Sequence, residues 1–560
     1  MAETKKHTKN LLFIIVGLFF LNIIGNYFYK RFDLTQDHRF TLSEAAKNTI
    51  ATVDSPIFIE VFLKGEFPSE FKRLQTETKQ LLEEFEAYNP NIKYKFVNPN
   101  DTKGEAEALF KFGAKPAQVE VNENGKTSTQ QIFPWAIATY NGRPIKIPLL
   151  KNQLGITSEE RVNNSIQNLE YAFADGFNKL VHPKKRKVAV IKGNGELDDK
   201  YVVDFFTTLR DYYYIAPFTL DSASLAPVKT LNQIKEFDLI VIANPTEAFS
   251  ENEKYILDQF TMNGGSSLWL IDAVELKKDS ISGNDFGFGK ELNMTDFFFK
   301  YGIRINPNLV KDMYSAPILL ASGSERESQY NKYPWFYSPL SSSANNHPII
   351  TNIEAVKFDY ASSIDTLPNS VNKTILLSSS PISKIVGMPS EIDITKEINK
   401  NLKIINEGPS EGEYNSGEIA LSVLLEGAFP SAYSNRIKPF KISDNIDSSK
   451  PAKMVIISDG SIIVNQFQNN RPLELGFDKW TNAFYGNKEF LLNTVNYLLD
   501  DSGLINIRSK EISVPFLDSQ KVTEQRPLWQ LVNILLPLVL LAIFGFAFTY
   551  FRKQKYTSIC

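Results

Sequence analysis

VAVIKGNGELDD, residues 188–199, decides how the middle of this chain is read. Its first six residues form a near-continuous apolar run. A turn bracketed by two glycines follows, then a polar start to a helix over 198–211. A strand that is apolar along its whole length is one covered on both faces, as in a parallel sheet. DLIVIANP (238–245), SSLWLID (266–272) and MVIISDG (454–460) repeat the pattern. Helical periodicity lies over 250–262 and 489–499. Together these predict a doubly wound α/β domain over 183–520, with an insertion at about 305–450 marked by loop stretches such as SSSANN and NEGPSEGEYNSGE.

The turn Gly193-Asn194-Gly195-Glu196 sits where doubly wound sheets cradle phosphates. It lacks the third glycine of a dinucleotide fingerprint, and a tight turn without a ligand accounts for the glycines equally well. Asp272 and Asp459 each end a strand at the carboxyl edge. Such a pair could serve a metal or acid–base role, or cap the turns that follow. Gly193, Gly195, Asp272 and Asp459 are therefore the candidate ligand-binding residues, for a sugar or a peptide. No catalytic set, cofactor motif or metal-ligand spacing stands out, and His7, His38, His182 and His347 are scattered. There is no G-x-x-x-x-G-K-[ST], so the chain is not itself an ATP-binding motor.

Upstream, IFIEVFL (57–63), an amphipathic helix over 68–88 and IKYKFVNP (92–99) make a strand–helix–strand unit. A helix near 103–112 and the strands QVEVNE, IFPWAIATY and RPIKIPLL extend it. A thioredoxin-like α/β domain over 31–182 is predicted, without the C-x-x-C that redox chemistry requires. Its last helix, 159–180, aligns Val162, Ile166, Leu169, Phe173, Phe177 and Leu180 on one face.

Both ends are apolar. LLFIIVGLFFLNIIGNYFY (11–29) and LWQLVNILLPLVLLAIFGFAFTYF (528–551) are each long enough to span a bilayer. They predict an N-terminal anchor within 1–30 and a C-terminal transmembrane helix. Lys5, Lys6 and Lys9, with Arg552, Lys553 and Lys555, outnumber Lys30 and Arg31, with Lys521 and Arg526, on the other side. That places both termini in the cytoplasm and the body outside it. The remaining composition is that of a folded protein: 560 residues, 43% hydrophobic and 22% charged, with net charge −3. No basic surplus or stripe suggests nucleic acid. The one cysteine, Cys560, rules out an intramolecular disulfide.

Between the first apolar run and the body lies DLTQDHRFTLSE (33–44). Thr41-Leu42-Ser43-Glu44 reads as a capping box, with the Thr41 hydroxyl and the Glu44 carboxylate closing a helix start just outside the membrane. Asp33, Leu34, Thr35 and Arg39 complete this juxtamembrane motif. The same stretch after a first membrane helix resembles the opening of the GldG family, auxiliary subunits of the gliding-motility ABC transporter of Bacteroidota. FPWAIATYNGRPIKIPLL (133–150), NLEYAFADGFNKL (168–180), VAVIKGNGELDD and MVIISDGSIIVNQ (454–466) fit the same pattern in the same order. The resemblance implies a non-catalytic subunit of the bacterial inner membrane, joined to a multi-span permease and a separate cytoplasmic ATPase, with a periplasmic body open to a periplasmic protein partner. It also implies an amidotransferase-like second domain, whose catalytic Cys has no counterpart in this body. The alternative is a membrane-anchored extracytoplasmic receptor.

Overall fold

The computed structural model describes residues 13–20, 41–65, 67–101, 104–123, 126–151, 156–278, 284–322, 329–341, 345–500, 503–509 and 519–557. The chain divides into two compact units, Met1–Glu511 and Ile512–Cys560.

Two main sheets build the first unit. The smaller uses β1 (Ile57–Val61), β2 (Ile92–Phe96), β3 (Trp135–Tyr140) and β4 (Arg143–Pro148) in the order β2-β1-β3-β4. β1 and β2 are parallel; β3 runs antiparallel to both of its neighbours. Alternation along β1 buries Ile57, Ile59 and Val61 and leaves Phe58 exposed. Against the buried face pack α1 (Glu44–Ala51), α2 (Ser69–Tyr88) and α3 (Ser158–Val181). The expected strand at QVEVNE forms, but only as a separate hairpin, Ala117–Glu123 with Lys126–Ile132.

The predicted α3 face is buried in full, and Thr157 closes the helix start with a capping box to Glu160. Phe173 and Phe177 meet Phe85 of α2, the Phe85–Phe177 rings lying edge-to-face at 5.1 Å.

The larger sheet has seven strands: β5 (Lys187–Lys192), β6 (Tyr214–Thr219), β7 (Leu239–Ala243), β8 (Ser266–Leu270), β9 (Asn372–Ser378), β10 (Ala420–Gly427) and β11 (Ala452–Ile457). Their order is β9-β10-β11-β8-β7-β5-β6. The five strands from β11 to β6 are parallel; β10 is antiparallel to β11, and β9 to β10. The expected insertion is thus interrupted, because β9 and β10 come from inside it and extend the sheet.

Both faces are covered, as the unbroken apolar strands require. Val188 and Val190 face α4 (Asp199–Leu209) and α6 (Asn487–Leu499); Ala189 and Ile191 lie on the side of α5 (Glu251–Met262).

In the second unit, α7 (Ser519–Thr557) carries the apolar stretch Glu524–Gln554, long and apolar enough to cross a membrane and with none of its most apolar window buried. It contains the predicted 528–551. Of the expected first span, residues 13–20 are helical and the rest lies outside the described residues.

Truncating Phe177 to Ala should remove about 3–5 kcal/mol of stability through the cavity left between α2 and α3. Denaturant unfolding of the full chain measures this; a loss below about 1 kcal/mol would mean that the ring contacts are not packed.

Candidate functional site

Reduced to its five parallel strands, the larger sheet runs second, first, third, fourth, fifth in chain order. Sheets of this kind bind ligands at the carboxyl edge, where the order reverses. Here that point lies between β5 and β7, at the Gly193–Leu197 turn.

Both glycines have positive φ, +118° at Gly193 and +71° at Gly195. A Cβ at Gly193 would come within 2.5 Å of Asp221 Oδ1, and one at Gly195 within 2.0 Å of Thr246 Oγ1. Neighbouring loops of the chain itself therefore press on the turn. The amides of Thr246 and Glu247 both donate to Asn194 O, at 2.9 and 3.0 Å.

The turn's own amides point at a carboxylate. Asn194 N donates to Glu196 Oε2 at 2.8 Å, and the amides of Gly193 and Glu196 also favour that side chain's charge. Burial nonetheless dominates and holds the Glu196 carboxyl above its usual range. A phosphate in this cradle would have to displace an acidic side chain already seated there.

Asp272 and Asp459 are joined. Asp272, just beyond β8, accepts from Gly460 N at 2.6 Å and also from the Asn244 amide. Lys290 Nζ donates to Asn244 Oδ1 at 3.2 Å. Asp459, fully buried beyond β11, accepts from Ser461 N (2.7 Å) and Ser461 Oγ (2.8 Å) through Oδ1, and from Asp359 N (2.7 Å) through Oδ2. Burial pushes both carboxyls up; Asp272 and Asp359 raise Asp459 further, whereas Lys290 opposes the rise at Asp272.

The arrangement closes the strand ends. It caps the turn at Ser461 and ties β8 to β11. The cavity beside Asp459, lined by Lys357, Asp359, Ser461, Asp478 and Asn487 among others, holds about 70 Å³. Ligand pockets for drug-sized molecules run to about 300–1,000 Å³. Asn244 of the β7 turn stands against Gly460, whereas the two glycines belong to the turn on the other side of β7. The four candidate residues thus form two separate arrangements. Asp359, Asn244 and Lys290 were not legible as partners. Asn244 alone left a trace, an Asn-Pro pair at a strand end, and it adopts φ +53°.

The juxtamembrane reading needs one correction. The N-cap of α1 is Ser43, whose Oγ accepts from Ala46 N at 3.3 Å, and not Thr41. The acid at the cap's own amide is Glu170 of α3, with Ser43 N donating to Oε1 at 2.6 Å. Glu44 instead pairs with Lys47 at 2.8 Å. Asp33, Leu34, Thr35 and Arg39 lie outside the described residues.

An unforeseen cluster joins the two sheets. Glu489 Oε1, on α6, meets Lys151 Nζ at 3.1 Å and Arg508 Nη2 at 2.6 Å. Lys151 follows β4, and Arg508 lies in the 3₁₀ helix Leu504–Ser509. Burial pushes the Lys151 ammonium down to about 8 despite Glu489. Burial also opposes charge on Glu489, but Lys151 and Arg508 prevail and hold its carboxyl below the usual range. Among the described residues no group of three or more His, Cys, Asp or Glu is placed to hold a metal ion.

A family model described as an ABC-type uncharacterized transport system, and covering its auxiliary component, matches residues 185–494, more than half of the chain. The chain belongs to this family. The match runs from just before β5 to within α6, so the family's shared part is the larger sheet. Membership gives the chain an accessory role in an ABC transporter and association with a transporter complex. With α7 it also indicates membrane association. A second model, for a domain of unknown function, matches residues 36–139. A Borreliella burgdorferi protein described only as uncharacterized is 22% identical over 547 residues, covering 97% of this chain and 96% of that protein. The mmIFT52 N-terminal domain is similar at a TM-score of 0.32 and 10% identity, over 56% of this chain and 98% of that one.

The Asp459 geometry makes a pH prediction. Its folded value is raised above the unfolded 3.8, so the stability it contributes is fully present below that value and is lost as pH rises through the folded one. The melting temperature of Asp459→Asn should therefore fall less than that of the native chain between pH 4 and pH 8; parallel curves would contradict the buried, protonated carboxyl.

Proposed function

We propose that this chain is the non-catalytic accessory subunit of a gliding-motility-type ABC complex in a bacterial inner membrane. Both termini are cytoplasmic, and two membrane helices, one at each end, tether a periplasmic body. The helices associate with a multi-span permease driven by a separate ATPase. Movement of the permease shifts the body, which can in turn engage a periplasmic protein. Such coupling works only if the partner contacts two arrangements of the body differently.

The observation that carries the non-catalytic part is the self-filled carboxyl edge. Glu196 occupies the turn's amides, and Asp272 and Asp459 hold the strand ends closed. Family membership supports the accessory role, the lack of a Walker loop supports a separate ATPase, and α7 supports the tether. The small sheet, fourth-third-first-second with the third strand antiparallel, supports the thioredoxin-like reading of the first domain.

Purification of the tagged chain from native membranes in mild detergent tests this. A multi-span permease and a Walker-containing ATPase should come with it at fixed ratio. Recovery of the chain alone, from membranes that express such partners, would favour a receptor and contradict the subunit reading.

A further inference from the structure

We infer that α3 clamps the two membrane-linked ends of the body to each other, so that α1 and the Leu504–Ser509 helix are released together. On the two-span reading proposed above, on which this inference rests, α1 and Leu504–Ser509 are the elements of the body nearest in sequence to the two spans.

Three residues within one turn of α3 hold both. Glu170 accepts from Ser43 N at the start of α1. Asn168 Oδ1 accepts from Arg508 Nη1 at 3.3 Å, and the Arg508 guanidinium lies 5.0 Å from the centre of the Tyr171 ring. Leu42 and Ala46 share one apolar core with Leu504, Ile505 and Ile507, and the two segments touch. Neither can stand alone. α1 has eight residues, well short of what an isolated helix needs in water, so packing maintains it. Removing Leu504–Ser509 uncovers apolar surface that α1 shares, and releasing α1 does the same in reverse.

Arg508 is the bolt. Its side chain is 3% exposed. It binds α3 through Asn168 and Tyr171, α6 through Glu489, and the Thr351 carbonyl at 3.1 Å. Lys151 shares Glu489 and donates to Asn352 O, and Asn352 Nδ2 donates to Asn164 O on α3 at 3.1 Å. A displacement of either end therefore reaches the larger sheet through α6. Two cations share one carboxylate, so loss of Arg508 leaves the balanced Lys151–Glu489 pair, whereas loss of Glu489 would strand two buried cations. Arg508 is the position to vary.

Hydrogen exchange of the full chain in detergent micelles tests the clamp without any partner, so its outcome is separate from that of the subunit reading. Arg508→Gln should speed amide exchange roughly tenfold or more in both 504–509 and 44–51, with β5, β7 and β8 unchanged. Arg508→Lys should restore part of the protection. Opening of 504–509 alone would overturn the proposal. Should Arg508→Gln fail to fold, Glu170→Gln applies the same test from the other end. It must loosen 504–509 along with 44–51, and loosening of 44–51 alone would overturn the proposal.

Discussion

A buried arginine draws four separate parts of this molecule to one point. A guanidinium cannot shed its charge inside a protein, so Arg508 can be buried only where other elements bring oxygen atoms and a π face to it. α3 supplies Asn168 and Tyr171, the Thr351 loop supplies a carbonyl, and α6 supplies Glu489. Glu489 in turn fixes Lys151 at the end of the small sheet. Satisfying this one cation ties the small sheet, α6 and Leu504–Ser509 together, beside the Tyr212–Asp175 and Asn352–Asn164 hydrogen bonds that also join α3 to the larger-sheet domain. Apolar packing around Leu504, Ile505 and Ile507 adds the non-directional part. The ion cluster is weak evidence for net stability, because desolvation offsets its attraction. What it does show is a fixed set of partners that meet at Glu489.

The carboxyl edge of the larger sheet carries the same theme of groups turned inward. In doubly wound proteins the first turn offers free amides to an anion. This chain places Glu196 in that position, and an anion would meet its carboxylate. At the far side of β7, Asp272 accepts from the Gly460 amide of the Asp459 loop, and Asp459 accepts from the amides of Ser461 and Asp359. The cavity beside Asp459 holds only about 70 Å³. Family membership makes the chain an accessory component of an ABC transporter.

What the sequence revealed follows from the range of the interactions. β5, β7, β8 and β11 were legible because burial on both faces leaves an unbroken apolar run. β6, YIAPFT, was not, because an edge strand carrying Pro217 has half-exposed positions. β10, ALSVLLEG, is as apolar as its neighbours but lies between loop-rich stretches, and its pairing with β11 is visible only in space. Locally, Glu44 offers a cap partner to Thr41, two residues before the true N-cap at Ser43, whereas the acid that binds there lies 127 residues away. At the candidate site, the conformational demand on Gly193 and Gly195 could be read locally. The fact that Glu196 answers the turn's amides could not, since a polar residue after a glycine turn has many possible roles. Lys151, Glu489 and Arg508 carried no local signal at all.

In the topology we propose, the C-terminal helix crosses the membrane and the body stands on the side opposite Cys560. Thiol labelling tests it most directly, because the native chain has one cysteine, Cys560. In spheroplasts, a membrane-impermeant maleimide should leave Cys560 unlabelled until the membrane is permeabilised. In a Cys560→Ser background, cysteine at Ile437, which is 95% exposed, should label at once. Labelling of Cys560 and position 437 from the same side of an intact membrane would contradict the account.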